Sequence, residues 1–188
     1  MTELIDDTAE WKAALEGDGR AFGLIYDRHS ARLRRHAFSV ASSAADVDDI
    51  VAIAFLEAWR RRASVRFVDN SLLPWLLVTA TNASHNLSRS ARRYRALLDR
   101  LPAPTVHDTP GGGEAEDALR RMSLPDQQIL TLSVVLGLTE PEVAEVLGIA
   151  RGTVKSRLSR AKRRLAERVS PAHIPNNRIH KESLNGNG

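Results

Sequence analysis

The sequence predicts an all-α protein of two small helical domains joined by a flexible linker, with a helix-turn-helix in the second domain. Apolar residues recur at three- to four-residue spacing in both halves, and no segment sustains an alternation of period two. The 188 residues suffice for two small domains. We expect five parts: an acidic segment at 1–19, a helical domain at 20–101, a linker at 102–118, a helix-turn-helix domain at 119–170 and a disordered tail at 171–188.

Three helices are predicted in the first domain from their apolar stripes. The stripe of the first helix consists of Phe22, Ile25, Tyr26, His29, Leu33, Ala37 and Val40. The second helix begins at Asp46, and its stripe consists of Val47, Ile50, Val51, Ala54, Phe55, Ala58 and Trp59. The third helix has Pro74 in its first turn, where the missing N–H costs nothing.

The linker is predicted from its composition. Residues 102–113 contain three prolines and three consecutive glycines, and Val106 is their one larger apolar residue. Such a segment cannot bury a face, so it is expected to be flexible. The glycine run lacks the pattern of a phosphate-binding loop.

The second domain opens with a helix at Leu124-Pro125, and Gly137 is expected to end this helix in the left-handed conformation. Its apolar stripe consists of Ile129, Leu132, Val135 and Leu136. A capping box formed by Thr139 and Glu142 then starts a short helix, which ends at Gly148.

A basic helix follows this turn, from about residue 151 to residue 168, and completes a helix-turn-helix. Its outward face carries hydroxyls and cations: Lys155, Ser156, Ser159, Arg160, Lys162 and Arg163. Small side chains permit close approach to a DNA groove, and the cations can contact base edges and phosphates. The alternative is a solvated amphipathic helix without a ligand.

Charge is unevenly distributed along the chain. Residues 20–101 carry 14 basic against 7 acidic side chains and residues 119–170 carry 10 against 5, whereas 1–19 and 102–118 are acidic. Two basic domains on an acidic tether predict contacts with a polyanion. In the first domain Phe67, Trp75 and Tyr94 lie close to arginines in sequence, which suits single-stranded nucleic acid. The alternative there is a core tryptophan beside solvated arginines.

Several function classes are disfavoured. The chain has no cysteine, which excludes disulfides and thiolate metal sites. Its longest apolar run, Leu72–Val78, is too short to cross a membrane, so we expect a cytoplasmic protein without membrane insertion. His29 and His36 lack a third metal ligand, and the acidic cluster at 46–49 lacks the glycine and glutamate of a calcium loop. We expect no cofactor, no metal and no enzymatic activity.

Two strings of residues resemble the sigma-70 family. The order of residues in 46–60 and 74–82 resembles its region 2, and residues 124–161 resemble its region 4. Two such modules on a short linker, with no region 3 between them, are similar to the small extracytoplasmic-function (ECF) sigma factors. The resemblance implies a bacterial transcription initiation factor that binds core RNA polymerase and directs promoter-specific initiation.

The resemblance also implies three sets of site residues. The clamp of the largest polymerase subunit would bind the second helix through Asp46, Asp48, Asp49, Ile50 and Phe55. The melted minus-ten strand would be held by Phe67, Asp69, Asn70, Trp75, Asn82, Asn86 and Arg89. The minus-thirty-five duplex would be read by Arg151, Thr153, Lys155, Ser156, Arg157, Ser159, Arg160 and Arg163. The polymerase flap and an anti-sigma factor are further implied partners.

Four positions depart from the family pattern. Ala52-Ile53 stands where the family usually has Gln-Glu, and Val78 and Thr81 replace common arginines. The segment from 67 to 75 is also short for a minus-ten loop. The alternative function is a helix-turn-helix transcriptional regulator that acts without being a polymerase subunit.

Overall fold

The computed structural model describes residues 6–98 and 113–169. The secondary structure elements in these ranges are helices, so the fold is all-α, as predicted. We number the helices in chain order: α1 (Thr8–Leu15), α2 (Gly19–Val40), α3 (Asp46–Arg60), α4 (Leu73–Leu98), α5 (Glu114–Arg120), α6 (Leu124–Leu130), α7 (Glu140–Leu147) and α8 (Arg151–Val169). A π-helical turn, Thr131–Val135, continues α6.

The first domain consists of α1 to α4 around one apolar core. The large buried side chains of α2, α3 and α4 meet there, among them Ile25, Leu33, Ile50 and Leu76. Helix α1 lies in the segment that the sequence predicts only as acidic, and it covers the core with the buried Trp11. The sequence does not predict this helix, because the segment is acidic overall and only one face of the helix is apolar.

Two residues of the predicted stripes lie at the surface instead of in the core. Tyr26 is 41% exposed and Trp59 is 38% exposed. Their rings pack at the edge of the core, where Tyr26 lies 4.7 Å from the Phe55 ring and Trp59 lies 5.4 Å from the Phe22 ring. Large aromatic residues often occupy such boundary positions.

The second domain has its own core, formed by α5 to α8 and the π-helical turn. Ile129 and Leu132 are fully buried as predicted, but Val135 is 61% exposed. The prediction for Val135 is wrong because a π-helical turn holds more residues than an α-helical one, which rotates the following side chains off the stripe. Gly137 has a φ of 70°, the predicted left-handed conformation.

The two domains pack against each other, with α5 on α2 and with α6 and α7 on α4. Helix α5 begins at Glu114, so the predicted linker is wrong over 114–118, where the chain is helical and Ala118 is buried. Helix α5 has only seven residues, too few for its apolar periodicity to be recognised in the sequence. The rest of the predicted linker, at 102–112, and the predicted tail at 171–188 lie outside the described residues.

Candidate functional site

Helix α8 separates an inward apolar stripe from an outward polar face. Val154 and Ala161 are fully buried in the core of the second domain. On the opposite face most of the predicted duplex-reading residues are exposed: Arg151, Lys155, Ser156, Ser159, Arg160 and Arg163. Thr153 and Arg157 are half-buried at its edge. The helix therefore presents a continuous basic surface with two small hydroxyls, which matches the width and chemistry of a major groove.

The turn before α8 fixes the angle at which the helix emerges. At the start of α7 the Glu142 carboxylate accepts hydrogen bonds from the Thr139 N–H and hydroxyl, both at 2.6 Å, and these bonds lower the pKa of Glu142. Gly148 ends α7 in the left-handed conformation with a φ of 65°. The capping box and the left-handed turn thus confirm the local structure expected for a helix-turn-helix.

An ion pair ties α8 to the helix beneath it. Arg164 donates to the buried Asp126 of α6 at 2.7 Å. In contrast, Arg160 bonds within its own helix, from Nε to the Ser156 carbonyl oxygen at 3.2 Å. This bond holds the Arg160 side chain along α8, and the outer part of its guanidinium can turn toward a ligand.

A cavity of about 270 Å³ lies between α3 and α4, and it unites three of the residues predicted to hold the melted strand. Its walls contain Trp75, Asn82 and Asn86 of α4, with Glu57 and Arg61 of α3 opposite them. Trp75 is half-buried against the core of the first domain and lines the cavity together with the two amides. Aromatic rings and amides are the groups that bind unstacked bases, by stacking and by hydrogen bonds to base edges. This cavity is the best candidate in the first domain for a flipped base.

The sequence interpretation missed the α3 wall of this cavity. Ile53, Glu57 and Arg61 follow at four-residue spacing, so they form one stripe on α3. Arg61 donates to Glu57 at 3.0 Å across the last turn of the helix. This four-residue spacing is the available signal, but it fits an ordinary solvated face equally well.

Asp69 and Asn70, two other predicted strand-binding residues, occupy a tight turn instead of the cavity. They are exposed, with φ values of 47° and 61°. The turn is closed by two backbone hydrogen bonds between Val68 and Ser71, of 3.1 and 2.9 Å. Two consecutive left-handed residues are the geometry of a two-residue hairpin turn, which asparagine and aspartate tolerate best. The backbone of the turn thus determines the direction in which each of the two side chains leaves it.

Phe67 and Arg89 lie apart from both of these features. The Phe67 ring is half-buried and lies 6.2 Å from the Trp11 ring in an edge-on arrangement. The Phe67 ring therefore packs against the core of the first domain and does not line the cavity. Arg89 is exposed one turn beyond Asn86 on α4.

The predicted polymerase-binding residues divide between the surface and the core. Asp48 and Asp49 are exposed on α3 and Asp46 is half-buried. Ile50 and Phe55 belong to the buried core, so their side chains cannot touch a partner directly, and we remove them from the candidate surface. The helical period explains this result, since both residues lie on the inward face of α3.

The exposed face of α3 includes an apolar residue that we did not predict. Leu56 is 54% exposed and lies two turns from Asp49, with the exposed Ala52 between them. A single exposed leucine is common on protein surfaces, so Leu56 adds to the candidate surface only through its position on the same face as Asp49. The sequence signal is an apolar residue at a position outside the buried stripe.

The departures from the family pattern have different structural positions. Ile53 lines the cavity, and Val78 packs against the core of the second domain. Thr81 is fully buried, and its hydroxyl donates to the Leu77 carbonyl oxygen and contacts His36 Nε2, both at 2.8 Å. A charged side chain could not replace Thr81 without leaving a buried charge.

Neither His29 nor His36 forms a metal site. His36 is buried against Thr81, and burial lowers its pKa to about 4. His29 contacts Asp7, with His29 Nε2 and Asp7 Oδ2 2.7 Å apart. Across residues 6–98 and 113–169, no three histidine or acidic side chains are grouped to hold a metal ion, and none of the helices has the length and apolar character needed to cross a bilayer.

In this arrangement the second domain contacts α4 at one residue of the cavity wall, Asn82, and at neighbouring residues. Gln128 of α6 donates to the Asn82 Oδ1 at 2.8 Å, and Gln127 lies 3.2 Å from His85 Nε2. Arg66 donates to the backbone oxygen of Glu145 beside the helix-turn-helix. The Oδ1 atom of Asn82 is therefore already bound by Gln128, and this hydrogen bond must break before that oxygen can accept one from a nucleic-acid strand.

Comparisons with known proteins match both modules. The family model for sigma-70 region 2 matches residues 25–94, and the model for sigma-70 region 4 matches residues 113–165. The RNA polymerase sigma factor NccH of Alcaligenes xylosoxydans xylosoxydans is 31% identical, over 93% of this chain and 100% of that protein. The ECF RNA polymerase sigma factor SigM of Mycobacterium tuberculosis is 34% identical, over 82% of this chain and 80% of that protein.

Two solved structures are similar to the chain. The sigma factor CnrH, in complex with the cytosolic domain of CnrY, has a TM-score of 0.60 and 27% identity, over 86% of this chain and 95% of that chain. The sigma factor RpoE of Bartonella quintana, in complex with the anti-sigma factor NepR, has a TM-score of 0.57 and 26% identity. The similarity to RpoE extends over 78% of this chain and 94% of that chain.

Proposed function

Because the chain belongs to the ECF group of the sigma-70 family, we propose that it joins core RNA polymerase and directs promoter-specific transcription initiation. The observation that carries this proposal is the match of both modules, in the same order, to a sigma factor of equal extent. The chain supplies binding and positioning in the cytoplasm, while the polymerase performs the chemistry.

In this function α8 reads the minus-thirty-five duplex. Lys155, Ser156, Ser159 and Arg160 lie at the centre of its outward face and contact base edges. The cations and hydroxyl at its margins bind phosphates and set the register: Arg151, Thr153, Arg157 and Arg163. Phosphate contacts supply affinity, and base contacts supply specificity.

The first domain holds the melted minus-ten strand. A base that leaves the stack enters the cavity and lies against Trp75, with the amides of Asn82 and Asn86 at its edge. Arg89 neutralises the phosphate next to the flipped nucleotide. Capture of an unstacked base offsets the free energy of opening the duplex, which is a few kcal/mol per base.

The two domains must separate before both elements can be read. Elements about 25 base pairs apart lie roughly 85 Å apart along B-DNA, at about 3.4 Å per base pair. A compact chain of this length has a radius of gyration of only about 16 Å. The packed arrangement, with Gln128 on Asn82, is therefore a form that precedes promoter binding.

We further propose a regulatory partner of the anti-sigma type. The support is that both similar structures are complexes of a sigma factor with a second protein, and the partner of RpoE in its complex is an anti-sigma factor. Such a partner would act on the domain arrangement described above.

Replacing Asn86 with alanine tests the cavity. Asn86 is exposed at the rim, so Asn86→Ala should leave folding and polymerase binding unchanged. We expect holoenzyme affinity for a single-stranded minus-ten oligonucleotide to fall about 5-fold, since one hydrogen bond contributes about 1 kcal/mol. Fluorescence anisotropy measures this change, and Ser90→Ala on the same helix is the matched control. Equal affinities for the Asn86→Ala and wild-type holoenzymes would remove Asn86 from the strand-binding site.

Purified core RNA polymerase distinguishes the proposed function from the regulator alternative. An initiation factor should be retained by immobilised core polymerase and should bind duplex DNA weakly on its own. A regulator should not be retained by immobilised core polymerase and should bind an operator tightly by itself. Retention and free duplex affinity are therefore measured on the same preparation, and tight free binding without retention would overturn the proposal.

A further inference from the structure

The first described residues of the chain bind the turn that carries Asp69 and Asn70. Asp7 is fully buried immediately before α1, outside the segment matched by the region 2 model. Its backbone N–H donates to the Asn70 carbonyl oxygen at 2.8 Å. Its Oδ2 accepts from the Leu72 N–H at 2.7 Å. Asp7 therefore binds the backbone at two places, within the turn at Asn70 and directly after it at Leu72.

The same carboxylate is anchored to α2. Oδ2 lies 2.7 Å from His29 Nε2, and Arg28 donates to Oδ1. Arg28 also bonds Glu10 at 2.7 Å, which fixes the guanidinium between the two acids. Burial alone would raise the pKa of Asp7, but the hydrogen bonds from His29, Leu72 and Arg28 outweigh it and lower this pKa to about 2. Asp7 is therefore a carboxylate at neutral pH, with several donors around its two oxygens.

The turn is short and exposed, so contacts from outside it can add to its stability. Asp69 and Asn70 both adopt positive φ, which aspartate and asparagine tolerate better than other non-glycine residues but populate less than negative φ. Two backbone hydrogen bonds between Val68 and Ser71 close the turn, and Asp7 adds bonds to Asn70 and Leu72. A buried, fixed carboxylate that binds the turn from outside stabilises this one conformation.

We propose that Asp7 is a positioning residue for base selection: it holds the turn so that Asp69 and Asn70 present their side chains to the melted strand in one geometry. This inference rests on the proposed function and adds a residue that lies before the matched region. Asp7 itself is buried and does not touch DNA. Its effect is therefore on which bases are preferred, and polymerase binding does not depend on it.

The test uses Asp7→Asn in the full chain, assembled with core polymerase. The amide cannot accept the hydrogen bonds of all these donors, so the turn should loosen while the volume of the side chain is kept. Glu16→Gln is the matched control, because it makes the same change from acid to amide at the end of α1, at an exposed position away from the turn and from Arg28. A pool of single-stranded oligonucleotides, randomised over the minus-ten element, is bound by each holoenzyme and the bound fraction is sequenced.

We expect Asp7→Asn to flatten the base preference at one or two positions by about 10-fold, while the remaining positions keep theirs. The Glu16→Gln and wild-type holoenzymes should select the same motif. An unchanged motif for Asp7→Asn would overturn the inference. A uniform loss at all positions, together with weaker polymerase binding, would also overturn it, because it would mean a purely structural role.

Two further measurements separate the possible failures. If the wild-type holoenzyme selects no motif at all, the proposed function fails; if Asn70→Ala changes the motif and Asp7→Asn does not, only the role of Asp7 fails. Amide hydrogen exchange on the wild-type protein requires no variant. The Leu72 amide should exchange much more slowly than the exposed amides of the turn, and equally fast exchange would contradict the anchor.

Discussion

Asp49→Arg is expected to lower the affinity of the chain for core RNA polymerase by about 10-fold or more, since a reversed charge in a complementary interface meets like charge. Asp49 is exposed on α3, beside Asp48 and two turns from the exposed Leu56. Asp48 is paired with Arg34, whereas Asp49 forms no ion pair with the other described residues. The variant should therefore keep its fold and lose only the interface.

The matched control for this variant is Asp27→Arg. Asp27 is also an exposed acid in the middle of a helix of the first domain, so the net charge changes by the same amount. Surface plasmon resonance on immobilised core polymerase gives both affinities. Similar losses for the two variants would indicate a general charge effect, and no loss for Asp49→Arg would remove the acidic face of α3 from the polymerase interface.

Arg160→Ala is expected to weaken binding to the cognate minus-thirty-five duplex about 10-fold, because a bidentate arginine–base contact contributes about 1–3 kcal/mol of discrimination. Arg160 lies on the exposed face of α8, and its Nε donates to a carbonyl oxygen of its own helix. The loss on random duplex should be much smaller. Competition binding of the holoenzyme to the two duplexes measures the ratio.

Arg168→Ala on the last turn of α8 provides the comparison. It removes the same charge from the same helix, at an exposed position about two turns beyond Arg160. We expect it to weaken both duplexes alike and slightly. If Arg160→Ala behaves in the same way, Arg160 is a phosphate contact and the base-reading residues lie elsewhere on the helix.

The sequence was most informative where a local rule decides the structure. The capping box at Thr139 and Glu142, the left-handed Gly137 and Pro74 in the first turn of α4 follow from the chemistry of a few adjacent residues. The exposed face of α8 follows from its period and charge. These features predicted the helix-turn-helix and most of its outward residues.

The sequence was less informative where the structure depends on contacts between distant residues. The cavity joins α3 and α4, and its α3 wall could not be recognised without knowing which helix faces which. The π-helical turn that exposes Val135 has no signature in the apolar pattern. The hydrogen bonds of Asp7 with Asn70 and Leu72 join residues more than sixty positions apart, so no local pattern predicts them.

The closed packing of the domains is also a long-range property. The hydrogen bond between Gln128 and Asn82 joins two modules that composition alone assigns to opposite ends of a flexible tether. Each module was predictable by itself. Their contact was not, because it depends on a surface of α4 that carries both amides and apolar residues such as Val78.

Run-off transcription from a pooled promoter library, with core polymerase in the presence and absence of the chain, is the decisive measurement. We predict that adding the chain produces transcripts from a narrow set of templates, which share one short element near minus ten and another near minus thirty-five. Transcripts identical to those of core polymerase alone, together with tight operator binding by the free protein, would contradict an initiation role and identify the chain as a regulator.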